Sequence, residues 1–541
     1  MIMTDDQDRR LGSTDYQYVL QREMMAKGTG FVNHCATTAN CCPSRVSFLR
    51  GQMVHNTNVT HVNAPGGNYD KFVISEQDTD YLPLWMEQAG YRSEYIGKFL
   101  NGYSQKNYFS TPKGWSHVDA LEKPFFLAIA PSTPHVENEK QQCIPLTRHA
   151  NDFENVTAPR VANWNPPDEI QHQKGSWLRT LPLMNESVQA YADHSFRQRI
   201  RALQGVDEII EDVVNKLEEK GILDTTYIIF TTDNGYHIGN HRIPAGKATF
   251  YAEDSNLPFV VRGPGVPVGK TSKIPGAHLD LAPTFLKIAG LPKDEWPPFL
   301  DGQSLLQQWH HPDSSTGKGS GGGNAKETLN VEFWGLCIVE APNAAELGVP
   351  FKTNSYKTLR IVGEDESWLT QSYARACQID HRLNAILLVT KSCAENTCRQ
   401  PWALLQPGRR KDEIVSLRQA MNTKYDRFFS EFPRVAFKEC MMYQDIENEK
   451  PFYPPLSETG ALGQKYRKST DNYQSEGEGG TRYLESPGSY GSWEQRHATL
   501  ADIEKSAREV ADGEIYGNAT MNKRRRDLGM ADPPEWFQWI G

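Results

Sequence analysis

The sequence predicts an α/β protein: a large, mostly parallel mixed sheet flanked by helices, followed by a smaller α+β unit. Three observations predict it. Short apolar runs alternate with helical segments up to about residue 310. Polar residues with chemical potential follow directly on those runs, where an open α/β sheet presents its ligand-binding rim. A length of 541 residues exceeds what one hydrophobic core usually organises, which argues for a second domain.

Taken in order, Ile2 and Met3 read as the last residues of a buried strand whose earlier residues are missing, so the start looks clipped, as in a truncated gene model or a mature fragment. It carries neither the basic n-region nor the apolar h-region of a signal peptide. Arg92 to Ile96, Phe125 to Ala130, Tyr227 to Thr231 and Phe259 to Arg262 read as strands, the last three with the continuous apolar character of buried parallel strands. From Phe196 to Lys220 the residues Ile200, Leu203, Val206, Ile210, Val213 and Leu217 recur at helical spacing, and Gly221 marks the stop. A Gly/Ser-rich stretch, Asp313 to Asn324, reads as a loop or linker. Beyond it, Leu329 to Trp334 and Tyr356 to Val362 read as strands, and the tail from Asp412 as mostly helical and polar. The predicted division is a first domain over 1–311, a linker over 312–327 and a second domain over 328–541.

Composition narrows the function classes. With 38% apolar and 23% charged residues the chain is globular, and no run reaches the roughly eighteen apolar residues of a membrane span. A net charge of -9 argues against a nucleic-acid partner, and the basic run Lys523-Arg524-Arg525-Arg526 reads as a solvated helical face. The nine cysteines lack the paired spacing of a zinc site. Setting Cys41 aside leaves eight, compatible with disulfides in an oxidising compartment, with Cys393 and Cys398 the closest pair. Sequons at Asn58, Asn155, Asn185 and Asn518 point the same way.

The candidate site residues each follow a predicted strand. Asp5 and Asp6 come after Ile2-Met3-Thr4, Lys98 after Tyr95-Ile96, His135 after the strand ending at Ala130, and Asp233 and Asn234 after Ile228-Ile229-Phe230. Any one of them reads equally as an ordinary loop residue; together they converge on one rim. Asp5, Asp6, Asp233 and Asn234 make a hard, all-oxygen set that suits Ca²⁺ or Mg²⁺ and disfavours zinc or copper.

The most specific segment is Asn40-Cys41-Cys42-Pro43-Ser44-Arg45-Val46-Ser47-Phe48-Leu49-Arg50-Gly51. Pro43 suits the first turn of a helix, which places Cys41 at an amino terminus whose free N–H groups favour an anion, with Arg45 able to reach back toward it. A buried cysteine pair beside a helix-starting proline is the plainer alternative.

Cys41-x-Pro43-Ser44-Arg45 followed by Leu49-Arg50-Gly51 resembles the signature of the type I sulfatases. The resemblance implies an alkaline-phosphatase-like fold, hydrolysis of sulfate esters, and conversion of Cys41 to formylglycine (3-oxoalanine) by a formylglycine-generating enzyme. It also implies a metal held by Asp5, Asp6, Asp233 and Asn234, and sulfate-binding groups at Lys98, His135 and Lys247, the last from Gly246-Lys247. His135 or Lys247 would then donate the proton to the leaving oxygen. Many relatives carry a histidine two residues after the first lysine; this chain has Leu100 there. His237 and His241 are candidates for substrate contact, each equally readable as a plain loop histidine. Local variants around Lys98 and Asp233 look most like fungal arylsulfatases and the N-acetylglucosamine-6-sulfatase branch, which ranks aryl sulfate ahead of a sugar 6-sulfate and of choline sulfate. A secretory or lysosome-like location follows by resemblance alone. A phosphatase or phosphodiesterase of the same alkaline-phosphatase-like superfold, and a non-catalytic relative that binds sulfated glycans or acts structurally, are the rival readings.

Overall fold

Seven strands form the central sheet of the computed structural model, which describes residues 1–63, 66–103, 112–116, 123–137, 142–313, 327–341, 354–362, 376–407, 414–432, 441 and 444. In chain order they are β1 (Ile2–Thr4), β2 (Thr29–Phe31), β3 (Arg92–Gly97), β4 (Phe125–Ala130), β5 (Ile228–Thr232), β7 (Val260–Arg262) and β8 (Lys270–Ser272), with a short β6 (Gly246–Lys247) outside the sheet. Their spatial order is β3-β4-β1-β5-β7-β2-β8. β3, β4, β1 and β5 run parallel, and β1 sits in the middle, pairing Ile2 with Ile129 and Ile2, Met3 and Thr4 with Phe230, Thr231 and Thr232.

The pleat sorts the apolar residues between two layers. Because successive side chains point to opposite faces, Met3, Phe126, Ala128, Ile229 and Val261 join one core, with Val46, Phe48 and Leu49 of helix α1 (Cys41–Arg50). Ile2, Ile228, Phe230 and Val260 join another core, against Leu203, Val206, Ile210, Val214 and Leu217 of α2 (Glu186–Glu219). Helices on both faces of a mostly parallel sheet are what the continuous apolar runs demand. With the sheet buried on both sides, every parallel strand ends on the same rim as β1.

Three expectations need correction. β7 runs antiparallel to β5, although its apolar run read as parallel; burial on both faces produces the same composition in either direction. Helix α2 begins ten residues before the predicted Phe196, because Asn185 caps it by accepting from the Val188 amide at 3.0 Å, and the apolar stripe already includes Val188 and Ala192. Of the cysteines, Cys393 and Cys398 form a disulfide, but Cys35, Cys42, Cys143 and Cys337 are buried free thiols rather than members of further bridges. Cys377 and Cys440 lie outside what the structure describes at side-chain level, as do the Gly/Ser-rich stretch past Asp313 and the basic run at 523–526.

The sequons separate by exposure. Asn155 and Asn185 are exposed, whereas Asn58 is buried and accepts from the Lys71 ammonium, so the folded chain hides it; Asn518 lies outside the described residues.

From residue 328 on the chain forms an antiparallel pair, β9 (Thr328–Phe333) with β11 (Tyr356–Ile361), and a core of Ala385, Ile386, Val389, Trp402, Leu405, Phe428 and Phe429 around α3 (Ala376–Thr390). Between those strands, β10 (Ile338–Val339) returns to pair with β6, Ile338 opposite Lys247. Among the described residues no helix is long and apolar enough to cross a membrane.

Candidate active site

α1 is buried over all ten of its residues. Asn40 takes the extended cap position, so Cys41 is the first helical residue and Pro43 lies within the first turn, where its missing N–H costs nothing. Gly51 ends the helix at φ 63, a left-handed conformation that favours glycine, and a Cβ there would lie 2.6 Å from Leu300 Cδ2 and force that side chain to shift. The helix thus delivers Cys41 to the carboxyl rim of the sheet.

Four loops meet it there. Asp5 and Asp6 follow β1, Lys98 follows β3, His135 follows β4, and Asp233 and Asn234 follow β5. Asp6 sits at φ 66, its amide donates to Asp233 Oδ1 at 3.0 Å, and its Oδ1 accepts from Asn234 Nδ2 at 2.7 Å. Arg45 donates from Nε to Asp233 Oδ2 at 2.9 Å and from Nη1 to the Lys98 carbonyl at 2.6 Å and Tyr95 Oη at 3.1 Å. Lys247 Nζ lies 2.5 Å from Asp6 Oδ2 and 3.2 Å from Cys41 Sγ, and Cys41 Sγ is 3.7 Å from Asp6 Oδ1. Lys98 Nζ is 2.5 Å from Asp5 Oδ2, and His135 Nε2 is 3.6 Å from Asp6 Oδ2. One oxygen from each of Asp5 and Asp6, Cys41 Sγ and a His135 nitrogen all fall within 4.8 Å of one another. The sequence-predicted Asp5, Asp6, Cys41, Arg45, Lys98, His135, Asp233, Asn234 and Lys247 are therefore in one place.

Burial sets the electrostatics. It pushes the Asp5 and Asp6 carboxyls up, but Lys98 and His135 around Asp5, and Lys247 and His135 around Asp6, outweigh it and hold both below the ordinary carboxylate range. Burial likewise opposes the Lys98 and Lys247 ammonium groups, and Asp5 and Asp6 respectively overcome it, raising both. The Cys41 thiol is driven well above its usual value by burial, so the unmodified side chain is a protonated thiol near neutral pH.

The donor set fits a hard cation. Asp5 Oδ1 and Oδ2 and Asn234 Oδ1 are buried and accept no hydrogen bond among the described residues; the Lys98 contact is an ion pair without hydrogen-bond geometry. Buried oxygens left this way are costly unless something outside the protein chain satisfies them, and an all-oxygen cluster with paired carboxylates suits Ca²⁺ or Mg²⁺.

His237 and His241 stand apart. His237 is buried with Nδ1 2.8 Å from Asp254 Oδ1; His241 stacks on Tyr251 at 3.5 Å between centroids and lies 3.6 Å from Glu253. Among the described residues neither shares a hydrogen bond or ion pair with the Cys41 cluster. Leu100 is buried in the core beneath Lys98 and offers no proton.

Sequence reasoning missed several contributors. Ser44 Oγ donates to the Asp233 carbonyl at 2.5 Å, and Arg199, fully buried on α2, donates to the Asp6 and Pro134 carbonyls, tying the loops after β1 and β4 together. Glu340, just past β10, places Oε1 3.5 Å from Lys247 Nζ and 3.9 Å from His135 Nε2. The serine lay inside the recognised segment. The other two had no local signal, since only the pairing of distant elements brings them in.

Comparison with known proteins agrees with this geometry. A family model described as sulfatase matches residues 1–118 and 114–291. The chain is 32% identical to an arylsulfatase of Volvox carteri and 30% identical to one of Chlamydomonas reinhardtii, each over 83% of this chain and 82% of the relative. It is 31% identical to an N-acetylglucosamine-6-sulfatase of Homo sapiens over 57% of this chain and 63% of that one. With its first 291 residues matched and the algal relatives aligned over most of their length, the chain belongs to the sulfatase family, enzymes that hydrolyse sulfate esters.

Proposed function

We propose that this chain is an arylsulfatase-type sulfuric ester hydrolase whose nucleophile is formylglycine made from Cys41 and whose metal is Ca²⁺, with Mg²⁺ as the alternative. The observation that carries the reading is the seating of Cys41 at the start of α1, within 3.2 Å of Lys247 and 3.7 Å of an Asp6 carboxylate oxygen. Converted to formylglycine, residue 41 would supply a geminal diol, one hydroxyl to attack sulfur and the other to lose a proton so that sulfate departs. The metal, held by Asp5, Asp6, Asp233 and Asn234, would lower the pKa of the attacking hydroxyl and polarise a sulfate oxygen.

The rest falls to the protein's own side chains. Lys98, Lys247 and His135 surround the place where charge accumulates on the sulfate oxygens, and their fixed positions make them stronger there than in water. Arg45 holds the metal loop through Asp233 and the Lys98 loop through its carbonyl, which keeps the two at constant distance. His135 Nδ1 faces the Val136 carbonyl at 2.6 Å, leaving Nε2 toward the site to pass a proton to the leaving oxygen. Because Cys41 is 1% exposed, the formylglycine-generating enzyme must meet this segment before the fold closes.

Aryl sulfate is the preferred substrate class, on the strength of the two algal arylsulfatases; a sugar 6-sulfate is the second reading, favoured by the similarity to N-acetylglucosamine-6-sulfatase. The exposed sequons Asn155 and Asn185 and the Cys393–Cys398 disulfide support passage through an oxidising secretory compartment. The test is hydrolysis of p-nitrophenyl sulfate with and without chelator, alongside the mass of the Cys41 peptide. Chelator-sensitive turnover with an aldehyde at residue 41 is expected. Full activity with an intact thiol would overturn the mechanism.

A further inference from the structure

Glu340 is a carboxylate in the wrong place for binding an anion. It is 7% exposed, and its backbone is fixed on both sides: its amide donates to the Ala245 carbonyl at 2.8 Å, and Tyr191 Oη donates to its carbonyl at 3.1 Å. The pairing of β10 with β6, Ile338 opposite Lys247, carries it to the sulfate-binding cations. There Oε1 lies 3.5 Å from Lys247 Nζ and 3.9 Å from His135 Nε2, while Oε2 is buried without a hydrogen-bond partner among the described residues.

Neither obvious duty accounts for it. Lys247 already has a counter-ion at 2.5 Å in Asp6, so holding the lysine does not require a second carboxylate. Glu340 is also not among the grouped ligand atoms of Asp5, Asp6, Cys41 and His135. A buried carboxylate with one oxygen unsatisfied is destabilising by itself, so its effect on the site must be sought in its charge. Next to Lys247 it cancels part of that ammonium's positive field.

Resting on the sulfatase reading above, we propose that Glu340 is a specificity-determining residue that tunes the site to a monoanionic sulfate ester and against a dianionic phosphate ester. A sulfate monoester carries one negative charge at all ordinary pH, whereas a phosphate monoester carries two above about pH 6. Without Glu340 the cations Lys98, Lys247 and Arg45 would favour the more highly charged ester. With it, the second charge of the phosphate is opposed by a carboxylate across a short, poorly screened path. Discrimination arises from repulsion of the competitor rather than from an added contact to the substrate.

The experiment compares kcat/KM for p-nitrophenyl sulfate and p-nitrophenyl phosphate in the aldehyde-bearing wild type, Glu340→Gln and Glu340→Asp. Glu340→Gln is expected to lower the sulfate-to-phosphate ratio about tenfold, while Glu340→Asp, which keeps the charge, leaves it within about threefold. A purely structural role would scale both substrates together and leave the ratio unmoved, and that result overturns the inference. Should the glutamine variant not fold, the wild type is decisive. Its sulfate-to-phosphate ratio must climb between pH 5 and pH 8 as the phosphate ester gains its second charge, because enzyme titrations cancel in a ratio; a flat ratio overturns the proposal. A wild type that fails to hydrolyse p-nitrophenyl sulfate at all sinks the parent reading instead.

Discussion

The proposed chemistry turns on Cys41, whose surroundings explain why a plain thiol would serve poorly: burial keeps it protonated beside two carboxylates. Cys41→Ala is therefore expected to abolish sulfate-ester hydrolysis while leaving the melting temperature within a few degrees, a split read by parallel kinetics and thermal denaturation. The cations differ in kind from the nucleophile. Removing one fixed charge from the proposed sulfate pocket should cost about 10² to 10³ in kcat for Lys98→Ala or Lys247→Ala, measured with p-nitrophenyl sulfate at saturation. Arg45→Lys should also be severe, because Nε and Nη1 reach Asp233, the Lys98 carbonyl and Tyr95 in a fan that an ammonium cannot reproduce. Lys98→Ala and Lys247→Ala should lower the melting temperature as well, since each leaves a buried carboxylate, Asp5 or Asp6, without its counter-ion.

At the scale of the element, α2 is the backbone on which the sheet's outer face is built, and its start is set by one cap. Asn185→Ala should lower stability by about 1 kcal/mol, seen as a modest fall in melting temperature with unchanged kcat, since the cap lies in an exposed first turn away from the site. The ribbon β9–β11 is bound to the first half of the chain in a different way. Glu332 on β9 accepts from the His55 amide at 2.8 Å, contacts the His55 ring at 2.9 Å and pairs with Lys357 at 3.3 Å. Burial raises its carboxyl, but His55 and Lys357 outweigh that and hold it at about 2 against an ordinary 4.5. A depressed folded-state value means this contribution is complete above pH 4.5 and is lost as pH falls toward 2. Glu332→Gln should thus lose about 3 kcal/mol at pH 7 and show a flatter acid limb in a pH series of denaturation midpoints.

For the whole molecule the proposed metal would couple folding to function. Asp5, Asp6 and Asp233 converge in a buried place, facing Lys98, Lys247 and Arg45 respectively, while both Asp5 carboxylate oxygens and Asn234 Oδ1 keep no hydrogen-bond partner among the described residues. Chelation should remove activity and lower the melting temperature together, and Ca²⁺ should restore both, with a concentration dependence that reports the site's affinity. Recovery of activity without any change in melting temperature would place the ion elsewhere.

What the sequence determined by itself was local and chemical. The segment Cys41 to Gly51 announced a helix start, a nucleophile and an arginine; the apolar runs before Asp5, Lys98, His135 and Asp233 announced strands whose ends share a rim; and four oxygen ligands announced a hard cation. The helix start and the shared strand rim survive because they depend on short-range rules, the periodicity of strands and helices and the preferences of helix termini. What only the tertiary structure decided was direction, distance and company. β7 turned out antiparallel, four cysteines proved to be buried thiols, and the Asn58 sequon lies inside the protein. Arg199 and Glu340, 193 and 334 residues from Asp6 in sequence, became neighbours of its site. Burial, pairing direction and the meeting of distant segments depend on how the whole chain packs, and no window of adjacent residues carries that information.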